Sequence, residues 1–106
     1  MNSVETSVKV VRPVGALTAA TVDAFKAEML TAITSDHASE VTIDMAAVDS
    51  VDNSGLVAIL AGCDTAKRHR KRLSIQDVAP PVRIVFELAQ LDRAVSMVDR
   101  QELQAA

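Results

Sequence analysis

The sequence has 106 residues, of which 49% are hydrophobic and 24% are charged, and its formal net charge is −3. This length and apolar content indicate one compact globular domain and exclude a disordered chain. The acidic balance argues against a protein dedicated to nucleic acid or to anionic membranes. Aromatic residues make up only 2% of the chain, so a base-stacking platform for single-stranded nucleic acid is not expected either.

The cysteine content and the hydropathy pattern indicate the compartment. The single cysteine, Cys63, excludes an intramolecular disulfide and fits a reducing environment. No apolar run approaches the ~20 residues that cross a bilayer. The N-terminus lacks the basic-then-apolar layout of a signal peptide. We therefore expect a cytoplasmic protein without membrane insertion.

The first third of the chain predicts a strand followed by a helix. β-branched residues predict a strand at 8–11, which Pro13 ends. Thr18 or Thr21 is expected to cap a helix that runs to about Thr34. Apolar residues at helical spacing support this helix: Val22, Phe25, Met29 and Ile33.

The middle of the chain predicts a second strand and a second helix. Apolar and polar residues alternate at 41–45, as in a half-buried strand. Residues 46–53 are interpreted as a polar loop. The second helix is expected to begin at about Ser54 and to end in the basic run 67–72. Its predicted apolar face comprises Leu56, Ile59, Leu60 and Cys63.

The last third predicts a short strand at 73–76, a third helix and an edge strand at 94–98. Pro81 suits the first turn of the third helix. Its apolar stripe comprises Val82, Val85, Phe86 and Ala89. Residues 99–106 are interpreted as a tail that extends as a short helix or frays.

Alternating strands and helices favour an α/β fold with crossover connections. We predict a single domain over residues 1–106, with its core at about 8–98. The expected architecture is a four- to five-stranded mixed sheet with the helices packed mainly on one face. The predicted order is β-β-α-β-α-β-α-β or a near variant.

The segment around Ser54 carries the most specific chemistry. A strand runs into a loop with Asp44, Asp49 and Asp52 nearby, and the loop delivers Ser54-Gly55 to a helix start. Backbone N–H groups at a helix N-terminus attract anions, so we expect a phosphate on Ser54 to meet them. Gly55 is expected to leave the hydroxyl open to another protein. The alternative is that Ser54 only caps the helix and the aspartates only solvate a loop.

Three separated blocks resemble the STAS domain family. Asp52-Asn53-Ser54-Gly55-Leu56, after a strand that ends in Ile43-Asp44, is similar to the signature of anti-sigma factor antagonists. In those proteins a Ser or Thr before Gly-Leu is the phosphorylation site. The segments 15–18 and 82–92 resemble the family's early Gly-x-Leu turn and its penultimate helix. Together the blocks cover roughly residues 8–98.

The resemblance implies a binding module and not an enzyme. In the family, the unphosphorylated antagonist binds a GHKL-type kinase that is also the anti-sigma factor, and a sigma factor is released. Phosphorylation ends this binding, and a PP2C-type phosphatase reverses it. By resemblance Ser54 is the acceptor. The implied partner-binding residues are Asp44, Asp49, Asp52, Asn53, Ser54, Gly55 and Leu56.

Two positions depart from the family pattern. Asn53 stands where Ser, Thr or Ala is more familiar, and the basic residues 70–72 stand where glycines are common. These departures bear on kinase recognition more than on the fold. A second function therefore stays open, in which an unphosphorylated STAS subunit docks on an ABC transporter ATPase or another assembly.

The remaining candidates have simpler interpretations. The basic run 67–72 is interpreted as a solvated helix C-terminus, with binding to nucleic acid or to an acidic partner as the alternative. Cys63 is predicted to be a buried small hydrophobe. His37 and His69 lack partners at metal-ligand spacing, so no metal and no cofactor are expected.

Overall fold

The computed structural model describes residues 7–98, apart from the side chain of Asp92. In chain order the elements are β1 (Val8–Val11), β2 (Gly15–Leu17), α1 (Val22–Thr34), β3 (Glu40–Asp44), β4 (Val48–Val51), α2 (Asn53–Arg68), β5 (Arg72–Gln76), α3 (Pro80–Leu88), a 3₁₀ helix (Leu91–Arg93) and β6 (Ser96–Val98). The predicted tail at 99–106 lies outside the described residues.

The described strands form two sheets. One has the strand order β1-β3-β5-β6, and the other pairs β2 with β4. Every pairing within residues 7–98 is parallel. The predicted mixed sheet would also contain antiparallel pairs, which the described strands do not form. The α/β class is confirmed. The parallel arrangement follows from the crossovers, because a helix between two strands returns the chain to the same end of the sheet.

One interval is corrected by the structure. Residues 46–53 were predicted to be a loop, but Val48–Val51 form β4, which pairs with β2. The prediction of an edge strand at 94–98 is confirmed, since β6 (Ser96–Val98) lies at one end of the four-stranded sheet. The strand β4 brings its backbone to the region where α2 begins, and this position shapes the site described below.

The core lies where α1 and α2 pack on the sheet and on each other. Met29 of α1 is fully buried, and a Cβ atom built on Gly62 of α2 would lie only 2.6 Å from its sulfur. The opposite face of the strands is polar. There the hydroxyls of Thr42 and Ser74 are buried on adjacent strands and lie 3.2 Å apart. This polar face agrees with the prediction that the helices lie mainly on one side.

Candidate functional site

Ser54 is the second residue of α2, and Asp52 is the residue that caps the helix. Asp52 is extended, with φ −98° and ψ −173°, as is typical of a capping position. Its Oδ1 accepts the backbone N–H of Ser54 at 2.8 Å and that of Gly55 at 3.2 Å. The alternative in which Ser54 only caps α2 is therefore wrong, because Asp52 occupies that role.

The same carboxylate also reaches the loop that follows β2. Asp52 Oδ2 accepts the backbone N–H of Ala19 at 3.4 Å, so it ties the start of α2 to the approach of α1. The sequence suggested free N–H groups at this helix start. A phosphate on Ser54 would instead find the N–H groups of Ser54 and Gly55 bonded to Asp52. It would stand beside the Asp52 carboxylate, which opposes a second negative group.

Ser54 is half-buried and lines an open groove between the first turns of α1 and α2. The groove has a volume of about 260 Å³. Its lining residues are Val22, Asp23, Lys26, Asn53, Ser54, Val57 and Ala58. The serine therefore lies at the surface, with one cation and one carboxylate of α1 across from it.

Gly55 faces the interior and not the groove. A Cβ atom built on it would lie 2.8 Å from Val51 Cγ1 and 3.0 Å from the carbonyl oxygen of Leu17. The backbone of α2 thus approaches β2 and β4 so closely that only glycine fits. Its part in the site is to set α2 against the two-stranded sheet. We had expected it to uncover the Ser54 hydroxyl.

Asp44 is buried at the end of β3, with only 8% of its side chain exposed. It lies 3.4 Å from Arg12 Nε, and its Oδ1 accepts the backbone N–H of Ala46 at 3.0 Å. Asp44 therefore shapes the turn between β3 and β4, and little of its side chain is exposed. The pairing with Arg12 could not be predicted from local patterns, because Arg12 follows β1 and lies 32 residues before Asp44.

The other predicted partner-binding residues divide between surface and core. Asp49 and Asn53 are exposed, and Asp49 accepts the Ser50 hydroxyl at 3.3 Å. Leu56 is half-buried and packs against the core. With Asp52 and Ser54, the two exposed residues form a polar rim at the start of α2.

An apolar strip continues from this rim along α2. Val57 is 54% exposed and Leu60 is 43% exposed, and they lie three residues apart on the outer face of the helix. Leu60 was expected on the buried face, but the interior-facing residues are its neighbours Ile59 and Cys63. Val57 also lines the groove with Ser54, so this strip adjoins the candidate acceptor.

Two cations of the basic run 67–72 have separate partners in the structure. Arg68 forms an ion pair with Asp64 one turn earlier in α2. Lys71 Nζ donates hydrogen bonds to the carbonyl oxygens of Ser35 and Ala38. These cations hold the end of α2 and the loop after α1, as a structural role at a helix C-terminus requires.

Cys63 is buried as predicted, and burial raises the pKa of its thiol. Within residues 7–98 no group of three or more His, Cys, Asp or Glu side chains comes together as a metal site would require. None of the helices in this range is both long and apolar enough to cross a bilayer.

Comparison with known proteins gives a family and a fold. The family model described as "Mlab, STAS domain" matches residues 3–99. The structure of the anti-sigma factor antagonist SpoIIAA in its unphosphorylated form is 22% identical, covering 98% of this chain and 90% of that one, with a TM-score of 0.69. The structure of the Bacillus cell fate determinant SpoIIAA in the phosphorylated form is 23% identical. It covers 98% of this chain and 92% of that one, with a TM-score of 0.70.

A third structure, an anti-sigma factor antagonist from Mycobacterium paratuberculosis, is 21% identical. It covers 91% of this chain and 80% of that one, with a TM-score of 0.75. Curated protein sequences yield no match. At these identities the solved structures show a shared fold, and the family match confirms the resemblance that the three sequence blocks indicated.

Proposed function

We propose that this chain, which belongs to the STAS domain family, is an anti-sigma factor antagonist controlled by phosphorylation of Ser54. In this proposal the unphosphorylated form binds a GHKL-type anti-sigma factor kinase, and a sigma factor is released. The kinase then transfers a phosphoryl group from ATP to Ser54, and the modified chain dissociates. A PP2C-type phosphatase restores the hydroxyl. The chain itself acts by binding and catalyses no reaction.

The observation that carries this proposal is the placement of Ser54. Its side chain lines an open groove at the start of α2, between Asn53 and the exposed Val57. A kinase active site can approach a hydroxyl in this position. SpoIIAA, which has a similar fold, is known in unphosphorylated and phosphorylated forms, and this supports control by phosphorylation in such a domain.

Local electrostatics explain why the modification would end binding. A phosphoserine carries about −1.5 to −2 charges at neutral pH. The Ser54 and Gly55 N–H groups already bond to Asp52, so they are not free to receive these charges. The phosphate would project into the groove that Asp23 and Lys26 also line, next to Asp52 at the start of α2. A partner surface that fits a neutral hydroxyl and the apolar Val57 would then meet a desolvated dianion.

The acceptor assignment is tested by phosphate transfer. The chain is incubated with the cognate kinase and ATP, and intact mass measures the phosphate taken up. We expect one phosphate on the wild type and none on Ser54→Ala. Ser50→Ala is the matched control, because Ser50 is an exposed serine on β4, just before the start of α2. Equal uptake by wild type and Ser54→Ala contradicts the assignment.

A second candidate function rests on the family description, which names Mlab. In this alternative the chain is a STAS subunit that docks on an ABC transporter ATPase and is not phosphorylated. A pull-down from the source cells with and without ATP separates the two. Recovery of a kinase that ATP releases supports the antagonist. Recovery of an ABC ATPase whose binding is unchanged by Ser54→Asp supports the alternative.

A further inference from the structure

A groove lies between the outer edge of β1 and α1. It has a volume of about 460 Å³. Its lining residues are Lys9, Val10, Val11, Ala27, Glu28, Thr31 and Ala32. Within residues 7–98, β1 pairs with β3 alone, so the peptide groups on its other edge have no strand to bond. An open edge of this kind is a template for another strand.

The side chains of β1 favour such pairing. Val8 is 49% exposed and Val10 is 40% exposed, although both are β-branched and apolar. Val11 is buried in the core. Because side chains alternate along a strand, Lys9 and Val11 share the face toward α1, while Val8 and Val10 share the opposite face. A strand added at this edge would place its own side chains beside Val8 and Val10 on that face.

Two opposite charges lie at different ends of the same groove. Lys9 is near the start of β1, whereas Glu28 also lines a neighbouring depression with Arg12, just beyond the end of β1. Neither Lys9 nor Glu28 forms an ion pair within the described residues. The groove thus presents a cation at one end and an anion at the other.

We propose that the occupant of this edge is a second copy of the chain, paired antiparallel through β1 about a two-fold axis at Val10. The two four-stranded sheets then become one continuous sheet. In this register the two Val10 side chains face each other, and Lys9 lies opposite Val11 of the second copy. Glu28 of that copy lines the same groove as its Val11, so the ammonium approaches the groove that holds this carboxylate. Symmetry forms this ion pair twice.

The charges also select the register. An axis at Lys9 would place two lysines directly opposite, and like charges in that position destabilise a sheet. An axis at Val10 replaces this repulsion by two attractions. Because β1 has only four residues, the interface is small and the dimer is expected to be weak and concentration-dependent. It does not depend on the proposed phosphorylation of Ser54.

Sedimentation of the full chain over a concentration series reaching about 1 mM tests the proposal. We expect a reversible monomer–dimer equilibrium. Val10→Lys places two ammonium groups face to face at the axis and should leave only monomer. Val14→Lys is the matched control, since Val14 is 77% exposed but lies beyond β1, and it should dimerise like the wild type.

A charge exchange tests the register independently. Lys9→Glu and Glu28→Lys should each weaken dimerisation by about tenfold, and the double exchange should restore it. Circular dichroism confirms that each variant is folded. The proposal is overturned by a chain that stays monomeric throughout the series, by a dimer that survives Val10→Lys, or by single exchanges that the double exchange does not rescue.

Discussion

The Asp52 carboxylate accepts the backbone N–H of Ser54 at 2.8 Å, so the proposed acceptor is held by the residue that caps its helix. This bond fixes the backbone of Ser54 at the start of α2 while the side chain faces the groove. It also places a carboxylate next to the proposed site of modification. The start of the helix and the proposed regulation therefore depend on the same carboxylate.

The capping role predicts that Asp52→Ala lowers the free energy of unfolding by about 1 kcal/mol. The change leaves the Ser54 and Gly55 N–H groups without their acceptor. Asp52→Asn should lower the free energy of unfolding by only about 0.3 kcal/mol, since asparagine also caps helices. Urea denaturation measures the difference. Asp49→Ala is the control, because Asp49 is exposed and bonds only to the neighbouring Ser50 among the described residues; an equal loss in this control contradicts the prediction.

The packing of α2 predicts different effects for two glycine substitutions. Gly55→Ala should destabilise the fold by about 1–3 kcal/mol, because the new methyl meets the Leu17 backbone as well as Val51. Gly62→Ala meets only the flexible side chain of Met29, which can move, and should cost less. Denaturant titration of both variants measures the ranking. A reversed ranking would show that α2 is not held against the β2–β4 sheet.

The buried Asp44 predicts an asymmetric response in its ion pair. Asp44→Ala leaves the Ala46 N–H without this acceptor and should cost about 1–3 kcal/mol. Arg12→Ala should cost less than about 1 kcal/mol, because the Arg12 side chain is 68% exposed and its attraction is screened by solvent. Urea denaturation of both variants provides the measurement, and equal losses contradict the assignment of Asp44 to the turn.

The raised pKa of Cys63 predicts a pH dependence of stability. Burial keeps the thiol protonated in the folded chain above its ordinary value of 9.0, whereas the unfolded chain loses that proton near 9.0. The stabilisation is present below that pH and is lost as pH rises through the folded-state pKa. Above pH 9 the midpoint temperature of thermal unfolding should therefore fall more steeply with pH for the wild type than for Cys63→Ala. Parallel curves would contradict this.

The regular elements could be predicted because their signals are local. The alternation at 41–45 and the helical spacing of Phe25 and Met29 identify β3 and α1 from neighbouring residues alone. The strand β4 was missed because Asp49 and Ser50 interrupt the alternation between its two valines. Its pairing with β2, more than 30 residues earlier, determines its conformation.

The sequence indicated the candidate segment around Ser54 but not its detailed geometry. Ser54 was located through a family motif, and its exposure in a groove depends on α1, which no local pattern brings next to α2. Asp52 and Ser54 are both good capping residues, so the sequence could not decide between them. The close approach that requires Gly55 becomes visible only once β4 is known.

The most direct test of the proposed switch is the affinity of the cognate kinase for the chain with and without phosphate on Ser54. Calorimetry compares the unmodified chain with one phosphorylated to completion, and Ser54→Ala reports the effect of removing the hydroxyl alone. We predict that phosphorylation weakens binding by about 100-fold or more, while Ser54→Ala binds like the unmodified chain. Equal affinities of the phosphorylated and unmodified chains would contradict the account.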